Sequence, residues 1–126
     1  MDFNNNIPIY MQIIELIKKK IVKGNLKLGD KLPSTRDLAI ELKVNPNTIA
    51  RVYKELELSN ITFTKRGMGT FISDNTELID SIKEEIANKL LKEFYEGMLD
   101  LGMNKENIIK MLKDFGGKDN VKNSES

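Results

Sequence analysis

Residues 32–56 read LPSTRDLAIELKVNPNTIARVYKEL, and two short helices with a tight turn between them can be picked out by eye. Ser34 is an N-cap, with Asp37 three residues on as a short-armed capping-box partner. Leu38, Ala39 and Leu42 supply a brief apolar face, and this two-turn helix stops near Lys43-Val44. Asn45-Pro46 opens the next helix, because Asn is a strong N-cap and Pro is favoured at the first helical position. Ile49, Val52, Tyr53 and Leu56 share one face of it. At ~100° per residue, Asn47, Arg51 and Lys54 fall on the opposite face, flanked by Thr48 and Glu55. Asn60 is the left-handed cap, since Asn tolerates that geometry best after Gly.

Downstream, the period changes from 3.6 to 2. In residues 61–72, Ile61 and Phe63 alternate with Thr62 and Thr64, and Thr70, Phe71 and Ile72 form a second β run. Two such runs around Lys65, Arg66, Gly67, Met68 and Gly69 predict a hairpin. Upstream, Ile9, Ile13, Ile14, Leu16, Ile17 and Ile21 recur at helical spacing after Pro8, and Gly24-Asn25 ends that helix. Residues 1–6 are expected to be disordered, and residues 26–33 to form a short extended connector around Gly29-Asp30.

The order helix, short helix, turn, helix, hairpin predicts a winged helix-turn-helix. In that arrangement the second helix of the turn enters the major groove of DNA and the hairpin is the wing. The residue chemistry agrees. Asn pairs bidentately with adenine and Arg with guanine, and Asn47, Thr48, Arg51 and Lys54 stand on the free face of the helix. Lys65 and Arg66 can neutralise phosphates or enter a narrow minor groove, and Gly67 and Gly69 permit close backbone approach. The three arginines, Arg36, Arg51 and Arg66, fall one on each piece of the motif. The bland alternatives are a solvated helix face and a hairpin whose glycines serve only the turn.

Composition narrows the other classes. Hydrophobic residues make up 40% and charged residues 31%, an ordinary globular mixture. Cys and His are both absent, which excludes disulfides, thiolate nucleophiles, Cys-ligated zinc and the commonest general base. No catalytic residue, metal site or cofactor is therefore expected, and a small enzyme is the weakest reading. No membrane-spanning run or secretory signal is visible, so a cytoplasmic location without a membrane partner is expected. The charge is uneven. Residues 1–75 carry 12 Lys+Arg against 8 Asp+Glu, a net +4, and residues 76–126 carry 8 against 11, a net −3. Such asymmetry suggests different partners for the two halves.

Four blocks now resemble the DNA-binding domain of GntR-family bacterial regulators. They run Leu32 to Ala39, Val44 to Ile49, Tyr53 to Glu57, and Arg66 to Phe71. Ile7-Pro8-Ile9-Tyr10, the Asn45 to Thr48 block and the short C-terminal extension resemble the YtrA subfamily. The resemblance implies a homodimeric regulator, most often a repressor, reading a pseudo-palindromic double-stranded operator. It further suggests regulation of a transporter operon or a stress response, and the protein's own gene is a further expected target. The DNA-binding set is then Ser34, Thr35 and Arg36, with Asn45, Asn47, Thr48, Arg51, Tyr53 and Lys54, and Lys65, Arg66, Gly67, Met68 and Gly69 at the wing. Asn60 stands where the family usually has Gly, and Pro46 replaces an Arg that other subfamilies use for a base contact. A winged helix serving protein–protein interaction is the competing reading, and Arg51 and Arg66 argue against it.

The chain divides on this reading into a winged domain over 1–75, a helical dimerisation segment over 76–115 and a disordered tail over 116–126. Thr76 caps a long helix, Gly102 ends it, Asn104 caps a last helix and Gly116-Gly117 stops it. Two adjacent apolar stripes on the long helix need a partner; a second copy of the same segment is the expected one, and the alternative is that both helices fold back on their own winged domain. Ile82, Ile86, Leu90, Phe94, Met98, Ile108 and Leu112 are the candidate dimer contacts. Phe94, Tyr95, Met98, Met103, Met111 and Phe115 could instead line a pocket for an unidentified small-molecule effector.

Overall fold

A computed structural model describes residues 2–118. The order is α1 (Ile9–Lys23), α2 (Thr35–Leu42), α3 (Pro46–Leu58), β1 (Thr62–Lys65), β2 (Gly69–Ile72), α4 (Leu78–Asp100) and α5 (Lys105–Lys118). The protein is thus mainly helical with one antiparallel hairpin, the winged helix-turn-helix expected from the sequence.

Two compact units divide the chain, the first running through Glu85 and the second starting at Ile86. The core of the first is a set of isoleucines spaced four apart on α1, Ile13, Ile17 and Ile21, with Ile49, Val52 and Leu56 of α3. Helix α1 closes as expected on Gly24, whose φ of 85° is the left-handed cap. Ser34 Oγ accepts from the Asp37 N–H and Asn45 Oδ1 from the Asn47 N–H, so both predicted N-caps form. Asn60, at φ 62°, takes the left-handed turn after α3. The N-terminal stretch is better ordered than expected. The Gln12 carboxamide donates to the Asn4 and Ile7 carbonyls and accepts from the Asn4 N–H, holding residues 4–7 against α1.

The hairpin departs from expectation in which residues face inward. Thr62 pairs with Ile72, and both are buried. Phe63 pairs with Phe71 on the other face, their rings stacked at 5.7 Å. Ile61 is buried but precedes the strand, its N–H donating to the Leu56 carbonyl in the turn that ends α3. The apolar alternation at Ile61 and Phe63 therefore spans a turn residue and a strand residue. Residues 29–32 do more than connect. The Gly29 N–H donates to Ile72 O, Ile72 N–H to Asp30 O and Leu32 N–H to Thr70 O, so this segment lies along β2 as a third, irregular strand.

The first unit also reaches beyond residue 75, because Leu78 and Ile82 at the start of α4 are buried and Lys18 pairs with Glu85 at 3.1 Å. The cap ahead of α4 is Asn75, whose Oδ1 accepts from the Glu77 N–H, rather than Thr76. In the second unit, α4 ends at Asp100 and Gly102, at φ 86°, takes the left-handed turn after it, while Asn104 Oδ1 accepts from the Asn107 N–H to cap α5. Gly116 and Gly117 do not stop α5, which runs to Lys118. The rest of the expected disordered tail lies outside the described residues.

Thr62 is 3% exposed and its hydroxyl has no hydrogen-bond partner. A buried polar group left unpaired costs about 1–3 kcal/mol. Thr62→Val should therefore raise stability by about 1 kcal/mol, read as a higher urea midpoint at unchanged slope. An unchanged or lower midpoint would mean that the hydroxyl finds a partner in solution.

Candidate nucleic-acid interface

Helix α3 is divided by burial. Ile49, Val52, Tyr53 and Leu56 face the core, while Asn47, Arg51 and Lys54 are exposed and Thr48 is half-buried at the boundary. Since one row is consumed by packing on α1, the polar row has only one direction available. Arg36 stands exposed on α2, and Lys65, Arg66, Gly67 and Met68 are exposed at the wing tip. Among the described residues the one ion pair is Lys18–Glu85, which leaves the cations of α2, α3 and the wing without acidic partners.

The wing tip is a three-residue loop between paired Lys65 and Gly69. The Met68 N–H donates to the Lys65 carbonyl, and Gly67 takes φ 79°, which a type II turn demands of its third residue. Gly69 is more constrained. Its φ is 122°, and a Cβ placed there would stand 2.8 Å from Lys31 Cε. The Lys65 ammonium lies 5.2 Å from the Phe71 ring and 5.8 Å from the Phe63 ring, so the aromatic pair supports a cation at the base of the loop.

A groove of about 650 Å³ joins the wing to the start of α2. Lys31, Ser34, Thr35, Met68 and Gly69 line it. The fold thereby brings together residues of two sequence blocks, such as Thr35 and Met68, that stand more than thirty positions apart. Lys31 carries no helix or strand pattern that marks it, and its adjacency to the Leu32-Pro33-Ser34 block is the available signal.

Several candidates are placed otherwise than a contact surface requires. Tyr53 is 8% exposed, and its hydroxyl donates to the Pro33 carbonyl at 2.7 Å. It fixes the entry of α2 against α3, and the little of it that stays exposed borders the groove between wing and α2. The Asn45 oxygen is occupied as a cap, leaving its amide N–H groups free. Arg51 is exposed but not isolated, for its guanidinium carbon lies 3.7 Å from the centre of the Tyr10 ring. No local pattern links these two residues, which are brought together by the packing of α1 on α3.

In the second unit, Leu90, Leu91, Phe94 and Tyr95 on α4 and Ile109, Met111, Leu112 and Phe115 on α5 are exposed. Leu90 and Phe115, at 60% and 68%, show how little of this surface the chain itself covers. Ile86 and Met98 are half-buried. Ile82 and Ile108 are corrected as dimer contacts, because each is buried in its own chain and has no surface to offer a partner. Of the residues expected to line an effector pocket, Tyr95 borders a shallow groove of about 400 Å³, with Asn88, Leu91, Lys92 and Lys105.

Comparison with known proteins gives a consistent result. The description "Bacterial regulatory proteins, gntR family" matches residues 9–72. The chain is 43% identical over 113 residues to the HTH-type transcriptional regulator YhcF of Bacillus subtilis, covering 90% of this chain and 93% of that protein. It is 43% identical over 104 residues to the HTH-type transcriptional repressor YtrA of the same organism, covering 78% and 80%. Among solved structures, a GntR family transcriptional regulator from Listeria monocytogenes superimposes with a TM-score of 0.82 at 43% identity, over 89% of this chain and 98% of that one.

Burial, and secondarily the charge of Glu41, pushes the Tyr53 hydroxyl up to about 12 from its usual 10.0. Between those values the unfolded chain releases its proton and the folded chain keeps it, so stability falls as pH rises. The loss should reach on the order of 2 kcal/mol by pH 12. Tyr53→Phe should be less stable than wild type at pH 8, and the gap should close between pH 10 and 12 in urea titrations. Parallel curves over that range would show that the hydroxyl is not held in the folded state.

Proposed function

Because the chain belongs to the gntR family of bacterial regulatory proteins, which are DNA-binding transcriptional regulators, we propose that it acts as a homodimeric repressor of a pseudo-palindromic operator. In this reading α3 lies in the major groove, with Asn47, Thr48, Arg51 and Lys54 toward base edges. Ser34, Thr35 and Arg36 hold phosphates at the start of α2. Lys65, Arg66, Gly67 and Gly69 follow the minor groove, where the glycines let the backbone approach closely. The observation that carries the reading is the groove lined by both Met68-Gly69 and Ser34-Thr35, which makes wing and helix-turn-helix one continuous surface.

Dimerisation is assigned to the exposed apolar side chains of α4 and α5, centred on Leu90, Phe94 and Leu112 with Ile86 and Met98 beside them. A surface of this kind on a small chain is stabilised by self-association, since ~25 cal/mol is gained for each Å² of apolar area removed from water. Two-fold symmetry would place two copies of α3 about one DNA turn apart, ~34–36 Å. Repression follows if the bound dimer excludes the transcription machinery from the promoter. A small molecule that shifts the dimer would release it, and the exposed aromatic and Met side chains of the second unit are where it would bind.

Binding to the DNA upstream of the protein's own gene, read by fluorescence anisotropy against scrambled DNA, tests the proposal. A preference of at least ~10³ with steep salt dependence is expected. Equal weak binding to both, with no enrichment of any fragment from a genomic pool, would favour a protein-binding winged helix instead. Lys65→Ala should weaken binding about equally on all sequences and reduce the salt slope by about 1. For the dimer, Leu90→Glu and Phe94→Glu should each sediment as monomers at concentrations where wild type is dimeric. A variant that stays dimeric places the interface elsewhere.

A further inference from the structure

We propose that Tyr10 is a positioning residue for DNA specificity, holding Arg51 on its ring so that the guanidinium meets a base already oriented. The inference rests on reading α3 as the element that contacts DNA, and adds to it a residue outside the helix-turn-helix and the wing.

The geometry is specific. The Arg51 guanidinium carbon is 3.7 Å from the Tyr10 ring centre. That is van der Waals contact for two carbon atoms, ~3.5–4.0 Å. No N–H group fits between them at that separation, so the guanidinium plane lies over the ring face. Its five N–H donors then project from the rim of the plane, away from the tyrosine. Bidentate recognition of guanine uses those rim donors, and the face of the plane is not needed. Stacking therefore occupies the part of Arg51 that reading a base does not use.

The ring is held where this is possible. Tyr10 lies in the first turn of α1, one turn before buried Ile13 and two before buried Ile17, on the side that packs against α3. It is half-buried, while Arg51 beside buried Val52 is exposed. An unsupported arginine loses much rotamer freedom on binding, and a stacked one has lost it already. Lys could not substitute, since a point charge on a flexible stem has no plane to be oriented.

The test compares wild type, Tyr10→Phe, Tyr10→Leu, Arg51→Ala and the Tyr10→Leu/Arg51→Ala double variant, all as full chains. The probes are the duplex that wild type enriches most strongly from a random-sequence pool and a scrambled duplex of the same composition. Melting curves verify that each variant is folded. Tyr10→Leu should lower the specific-to-scrambled ratio about five- to tenfold. Tyr10→Phe, which keeps the ring face, should stay close to wild type and so serves as the folded control. In the Arg51→Ala background Tyr10→Leu should have no further effect, and the salt slope should not change, because no charge is removed. If Arg51→Ala lowers the ratio but Tyr10→Leu does not, the positioning role is wrong and the α3 reading stands. A higher ratio in Tyr10→Leu would show that the ring masks the arginine, which also overturns the proposal. An Arg51→Ala variant that reads the enriched duplex as well as wild type, or a wild type that enriches nothing, removes the α3 reading itself.

Discussion

The packing of α1 on α3 is the constraint from which the rest of the winged unit follows. Ile13, Ile17 and Ile21 meet Ile49, Val52 and Leu56 in a row of large side chains that are all buried. Burying each such side chain gains roughly 1.5–3 kcal/mol relative to exposure, so α3 has no competitive alternative to turning this face inward. Its polar row is exposed as a consequence. Tyr53 belongs to the same buried face, and its hydroxyl reaches past the core to the Pro33 carbonyl. One hydrophobic contact thus orients α3, and one hydrogen bond sets where α2 begins relative to it. The placement of Tyr10 over Arg51 has the same origin, since both residues sit at the end of the α1–α3 seam.

The wing is stabilised from two sides. Thr62 and Ile72 lie against the core, and residues 29–32 bond along the other edge of β2. A two-stranded hairpin alone is marginal in water. The third segment covers the outer edge of β2 and brings Lys31 to the base of the loop. The outward face is closed by Phe63 and Phe71, with Lys65 above them. The exposed loop is therefore short, and its shape is fixed by two glycines at positive φ.

Much of this was legible in the sequence because the signals were local. Ser34, Asn45-Pro46, Gly24 and Asn60 each act within a few residues of where they stand, and each cap forms where the pattern puts it. The polar face of α3 was legible for the same reason, as a helical period read along one segment. What was hidden depends on residues distant in sequence. The pairing of residues 29–32 with β2, the stacking of Tyr10 on Arg51 and the use of the Tyr53 hydroxyl all join separate elements. Thr62 misleads for another reason, since a threonine facing the core beside an outward phenylalanine inverts the usual alternation. Along α4 and α5, periodicity marked Ile82, Leu90 and Ile108 alike as apolar. Only the folded chain separates those it buries from Leu90, which it leaves open.

Gly69 carries a consequence for how this protein can vary. Two independent conditions meet there, a φ of 122° that L side chains rarely adopt and a Cβ position 2.8 Å from the Lys31 side chain. The second condition is soft, because the end of a lysine moves easily or can be shortened by mutation. The first is not, because it resides in the backbone of the position itself. A genetic screen for second-site suppressors of a Gly69 lesion could find changes at Lys31 that relieve the crowding, yet none of them would relieve the torsion. Recovery by true reversion should dominate such a screen, and the position marks a point where this wing has no neutral path to another residue.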